Sequence, residues 1–167
     1  MSRILLFLTA FLLCCYTYGQ TVYTVETIPN PKLNGNGYIS NPDSIISATF
    51  VDSINTILRT IEDSTTVQIA IAVVNSIGDA DSYAFRLKLA NYWGVGQADK
   101  DNGILFLMIM DKRRIEMAVG YGLETVFTDS VALQIIMETM VPLAKQMQYG
   151  ECLLSGINQV KLYLEKK

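Results

Sequence analysis

Residues 67–74 read VQIAIAVV, a continuous run of apolar and mostly β-branched residues. Such a run is typical of a strand buried on both faces of a parallel sheet. A second run, GILFLMIM, follows at residues 103–110, and a helical pattern that ends before Gly94 lies between the two at residues 81–93. A strand, a helix and a strand in this order predict a parallel pair joined by a right-handed crossover.

The remaining elements extend this unit on both sides. A helical spacing of apolar residues covers residues 47–63, and a looser alternating strand at 113–119 follows a turn at Asp111 and Lys112. Two further helical patterns cover residues 128–140 and 151–164. We therefore predict a three-layer α/β sandwich whose central sheet is mostly parallel and carries an antiparallel hairpin at its edge.

Composition excludes several classes of site. The chain has 167 residues, half of them apolar, with 13 basic and 16 acidic side chains and no histidine. The absence of histidine excludes Ser-His-Asp and Cys-His catalytic sites and histidine-ligated zinc. The net negative charge and the absence of a run of basic residues give no indication of a nucleic-acid-binding surface. Cys152 lies in an apolar helical pattern, which favours a small core residue over a reactive thiol.

Residues 1–19 are predicted to be a secretory signal peptide. A short cationic start is followed by a 13-residue apolar run, and Thr17 and Gly19 are small residues that predict cleavage before Gln20. The run is shorter than the roughly 20 residues that a bilayer requires. An uncleaved anchor and a lipoprotein acylated at Cys14 or Cys15 stay open as alternatives, the second less favoured because no small residue precedes either cysteine.

The predicted mature chain has an extended arm at residues 20–37 and a single domain at residues 38–167. The arm is marked by two prolines and an Asn-Gly repeat. No later apolar stretch is long enough for a transmembrane anchor. We therefore expect a soluble periplasmic or secreted protein.

Acidic residues cluster in the loops that flank the predicted strands. Asp99 and Asp101 precede the second buried strand, Glu124 follows the hairpin strand, and Asp129 begins a helix. Carboxylates without histidine suit a hard cation, Ca²⁺ or Mg²⁺, and we expect them beyond the carboxyl ends of the parallel strands. The residue types alone also allow a simple turn and a helix cap, and the loop at Asp99 is not an EF-hand.

Several stretches together resemble the TPM domain family, which includes a thylakoid acid phosphatase, photosystem II repair factors and a modulator of acetylcholine receptors. They are YISN at 38–41, YWGVG at 92–96, KDNGIL at 100–105, IEMAVGYGLE at 115–124 and TD at 128–129. The resemblance implies an α/β sandwich outside the cytoplasm with a divalent-cation site, usually for calcium.

The family's acidic positions fall on Asp101, Glu124 and Asp129. Asn41 stands where the family usually has aspartate, and Asp43 could compensate for the missing charge. The resulting candidate metal ligands are Asp101, Asp129, Glu124, Asn41 and Asp99.

Two functions follow from the resemblance. The first is a non-catalytic, calcium-stabilised module that acts on envelope or membrane protein complexes. The alternative is a metal-dependent acid phosphatase, in which Asp101 or Asp129 holds the metal, Glu124 acts as base and Lys100 is the nearest cation by position. The sequence reveals no nucleophile with a base partner, so catalytic residues stay unassigned.

Overall fold

A computed structural model describes residues 21–33, 35 and 37–165. The predicted signal peptide lies outside these residues. Within them, a four-stranded sheet has the order β1-β2-β3-β4. The strands are β1 (Ile39–Ser40), β2 (Gln68–Val74), β3 (Gly103–Ile109) and β4 (Arg114–Val119). The first three are parallel and β4 is antiparallel to β3, which confirms the predicted fold class.

Helices cover both faces of the sheet. Their bounds are α1 (Ala48–Thr65), α2 (Ser82–Trp93), α3 (Asp129–Gln134), a π-helical turn (Ile135–Met140), α4 (Val141–Lys145) and α5 (Tyr149–Leu164). None of the helices in the described part has the length and apolarity needed to cross a membrane.

The caps of α2 show why the chain folds locally as predicted. The Asp81 carboxylate accepts a hydrogen bond from the Ala84 amide at 2.8 Å, and Gly94 ends the helix at a φ of 60°. An N-terminal aspartate and a C-terminal glycine in the left-handed region are the residues that these positions favour.

The strands divide the core into two layers. Odd-numbered residues of β2 pack with α1 and α5 on what we call the first face, whereas Ala70, Ala72 and Val74 pack with α2 on the second face. Tyr23, Val25 and Ile28 of the arm are also buried on the second face. The arm therefore completes the third layer of the sandwich.

The two parallel crossovers have opposite hands. Both connections, from β1 to β2 and from β2 to β3, step in the same direction across the sheet. Their helices, however, lie on opposite faces, α1 on the first and α2 on the second. One crossover is therefore left-handed, and the rule that predicts a right-handed connection fails at one of the two.

Candidate functional site

The acidic loops meet at the amino ends of β2 and β3, which we call the amino edge. Because β4 runs antiparallel to β3, its last residue returns to the start of β3. The Gly120 amide donates to the Gly103 carbonyl at 2.8 Å, and the Gly122 amide donates to the Asp101 carbonyl at 3.1 Å. The expectation that these loops lie at the carboxyl ends was wrong, because residues that precede a parallel strand lie at its amino end.

Glycines allow the two loops to touch through their backbones. A Cβ atom on Gly120 would lie 2.0 Å from the Asp101 carbonyl oxygen, and one on Gly122 would lie 1.8 Å from the Lys100 carbonyl oxygen. Only a residue without a side chain fits such an approach. The Gly-Tyr-Gly sequence at 120–122 thus places this segment directly against residues 100–101.

Asn102 holds the loop before β3 in place. Its side chain is buried, with its Nδ2 donating to the Thr66 carbonyl at 2.7 Å and its Oδ1 accepting from the Gln97 amide at 2.8 Å. Its carbonyl also accepts from the Gln68 amide at 3.1 Å. Sequence reasoning treated this residue only as part of a turn. An asparagine directly before a fully apolar strand could have indicated this role, because its side-chain amide can donate and accept hydrogen bonds at once.

The four candidate carboxylates are exposed; three lie in the amino-edge loops, whereas Asp129 is the first residue of α3. Within residues 21–33, 35 and 37–165, the ion pairs are Arg86–Glu116 and Lys161–Glu165, so none of the four is in an ion pair. No group of three or more acidic or cysteine side chains in this part is arranged to hold a metal. The fold therefore brings the loops together without converging their carboxylates. The four are Asp99, Asp101, Glu124 and Asp129.

Asn41 lies at the opposite, carboxyl edge of the sheet. The pairing of Ser40 with Ala72 and of Gln68 with Gly103 separates it from the start of β3 by roughly 17 Å along the strands. Its side chain accepts from the Ile45 amide at 2.9 Å and donates to the Ile46 carbonyl at 2.8 Å. Asn41 thus stabilises the turn before α1 and cannot share an ion with Asp101, which corrects the predicted ligand set.

The Asp43 carboxylate also accepts hydrogen bonds that hold neighbouring segments together. Its Oδ1 accepts from the Tyr23 hydroxyl at 3.0 Å, and its Oδ2 accepts from the Asn75 amide at 2.8 Å. The Tyr23 amide in turn donates to the Ser76 carbonyl at 2.9 Å. Burial, together with the Asp43 carboxylate, raises the pKa of Tyr23. The arm therefore bridges the loops that leave β1 and β2, at the edge where open α/β sheets usually bind ligands.

Two other exposed side chains border the amino edge. Lys100 precedes Asp101, and Tyr121 is 81% exposed between the two glycines that contact the loop before β3. Arg113 and Arg114 lie at the turn between β3 and β4, at the carboxyl edge. Lys100 is therefore the cation nearest in sequence to the candidate carboxylates.

The TPM domain family model matches residues 39–163, which include every strand and both acidic loops. The chain belongs to the TPM domain family. The search of curated proteins found no match.

Solved structures of similar fold agree with this assignment. The N-terminal domain of a protein from P. gingivalis is 34% identical, with a TM-score of 0.81, over 87% of this chain and 94% of that one. The BA42 protein from Bizionia argentinensis is 16% identical, with a TM-score of 0.66, over 75% and 86%. The N-terminal domain of the cg2496 protein from Corynebacterium glutamicum is 15% identical, with a TM-score of 0.59, over 76% and 78%. The last two show similarity of fold alone.

Proposed function

We propose that this TPM domain binds calcium at the amino edge and acts as a non-catalytic module outside the cytoplasm. Asp101, Glu124 and Asp129 are the proposed ligands, with Asp99 at the rim. The observation that carries the proposal is the backbone contact between residues 100–101 and 120–122, which only glycine permits. Two loops far apart in sequence thereby present their carboxylates from one edge of the sheet.

The donor chemistry of this edge fits a hard cation. Calcium takes six to eight oxygen ligands in flexible geometry, including backbone carbonyls as well as carboxylates. The loops supply exposed carboxylates that have no ion-pair partner within the described residues. Magnesium is the second choice, because it demands a stricter octahedral arrangement. Since the carboxylates do not converge beforehand, binding would order them, and we expect a dissociation constant of about 0.1–1 mM, as in extracellular modules.

The same loops would also contact a protein partner. Tyr121 presents an exposed ring beside the proposed ligands, and aromatic side chains are enriched among residues that anchor protein partners. The predicted signal peptide supports a periplasmic or secreted location and partners among envelope or membrane proteins. In this account the ion orders the loops and the loops contact the partner.

A phosphatase is the second candidate. Lys100 is exposed on the loop that carries Asp101, so one cation is available to clamp a phosphoryl group beside a bound metal. In this candidate Glu124 would serve as the base that activates water. Hydrolysis of p-nitrophenyl phosphate that requires calcium or magnesium would favour this candidate over the non-catalytic module.

Thermal unfolding with and without calcium tests the proposal. We expect 5 mM calcium to raise the melting temperature of the purified protein, since a ligand that binds only the folded state stabilises it. Asp101→Asn should lose this rise, and asparagine suits the φ of 46° at this position. Asp111→Asn, an exposed acid at the carboxyl edge, is the matched control and should keep it. No rise in the unaltered protein would refute the calcium site.

A further inference from the structure

Strand β4 forms one edge of the sheet in the described part of the chain. The Gly120 amide bonds to β3, so residues of the same parity, Arg114, Glu116 and Ala118, direct their backbone groups toward β3. The backbone groups of Ile115, Met117 and Val119 therefore face outward. Such a row is a template for pairing with another strand.

Arg86 of α2 reaches this row. Its Nη1 donates to the carbonyl oxygen of Met117, the middle of the three outward residues. Its Nε lies 3.8 Å from the Glu116 carboxylate, and its guanidinium lies 4.2 Å from the centre of the Tyr83 ring. The Ser82 hydroxyl donates to the same carboxylate at 3.0 Å. These contacts fix the guanidinium over the strand edge.

Stability explains a donor to the carbonyl of Met117, which is only 3% exposed, but it does not explain why the donor is a buried guanidinium. Arg86 is only 7% exposed, and its Nε makes no hydrogen bond. Removing a guanidinium and a carboxylate from water is costly, and well-packed apolar side chains often replace a buried ion pair without loss of stability. The arrangement is better explained by what it prevents.

We propose that Arg86 keeps the β4 edge from pairing with a second copy of this chain. An antiparallel copy related by a two-fold axis would place Met117 opposite Met117 and Ile115 opposite Val119. Its central hydrogen bonds would need the carbonyl that Arg86 already occupies. The guanidinium thus occupies the outward carbonyl at the centre of this symmetric pairing.

The proposal is tested by the mass in solution of a variant that lacks the Arg86 guanidinium. Arg86→Met combined with Glu116→Gln removes the guanidinium without leaving an unpaired buried carboxylate. We expect this protein to fold and to approach twice the monomer mass in light scattering as its concentration rises. Glu116→Gln alone keeps Arg86 and should stay monomeric, as should the unaltered protein.

A third variant identifies the surface. Adding Ile115→Pro removes an outward amide without breaking a bond to β3, so it should return the double variant to the monomer mass. A folded double variant that stays monomeric would overturn the proposal, and so would association that survives Ile115→Pro. Loss of folding in the double variant would assign Arg86 to stability and would also contradict it.

Discussion

Asn102 is the side chain that joins the loop before β3 to the rest of the amino edge. It is buried, and its amide bonds to Thr66 and Gln97 at once. Replacing it with alanine would remove the hydrogen bonds to the Thr66 carbonyl and the Gln97 amide.

We therefore expect Asn102→Ala to lower the free energy of unfolding by about 1–3 kcal/mol in urea denaturation. The variant should also weaken any calcium-dependent stabilisation, because the Asp101 loop loses its attachment. Asn91→Ala, at an exposed position near the end of α2, is the control and should change stability by less than about 0.5 kcal/mol. Equal stability of the two variants would show that Asn102 does not hold the loop.

Tyr38 makes stability depend on alkaline pH. Burial, followed by a hydrogen bond to Glu62 and the charge of that carboxylate, raises the pKa of Tyr38 to about 12. Because the folded pKa exceeds the unfolded one, the protonated form is favoured by folding. This contribution is complete below about pH 10 and is lost as the pH rises toward 12.

Urea denaturation between pH 8 and 12 should therefore show stability falling above pH 10. Tyr38→Phe cannot ionise, so its stability should fall less steeply over the same interval. Part of the slope should remain, because the pKa of Tyr23 is also raised. Identical slopes for the two proteins would contradict this assignment.

At the scale of elements, the two buried strands could be predicted and the shortest strand could not. Residues 67–74 and 103–110 are apolar at every or nearly every position, a pattern that few alternatives share over this length. By contrast, β1 has two residues and no readable periodicity. The edge at which the loops lie was mistaken because a loop before a strand was treated like a loop after one. Asn41 was included with Asp101 because of the resemblance to the family, which does not show at which edge of the sheet a position lies.

The contact between the two amino-edge loops should depend on Gly122. Gly122→Ala would place a methyl group 1.8 Å from the Lys100 carbonyl oxygen, so one loop must move. We expect a loss of about 1–3 kcal/mol in the free energy of unfolding, as for other overpacked positions, together with loss of calcium-dependent stabilisation. Thr125→Ala, at an exposed position nearby, should change neither. A Gly122→Ala protein that kept both properties would show that the loops need not touch.

At the scale of the whole molecule, the opposite handedness of the two crossovers makes the carboxyl edge of the sheet different from the amino edge. Because α1 and α2 lie on opposite faces, the loops after β1 and β2 diverge at the carboxyl edge, where Tyr23 and Asp43 bridge them. The amino edge instead carries the candidate ligands Asp99, Asp101 and Glu124. The sequence could predict which residues are acidic and lie in loops. It could not predict this division, because the division depends on strand direction and on packing of the arm.

A calcium titration of ¹⁵N-labelled protein, followed residue by residue in solution NMR spectra, tests the amino-edge site most directly. We expect the backbone amide signals of residues 99–103, 120–124 and 128–130 to shift together and to saturate at millimolar calcium. Signals at Asn41 to Asp43 should stay unchanged, because they lie at the other edge of the sheet. Shifts confined to residues 41–43, or no shifts at several millimolar calcium, would contradict the account.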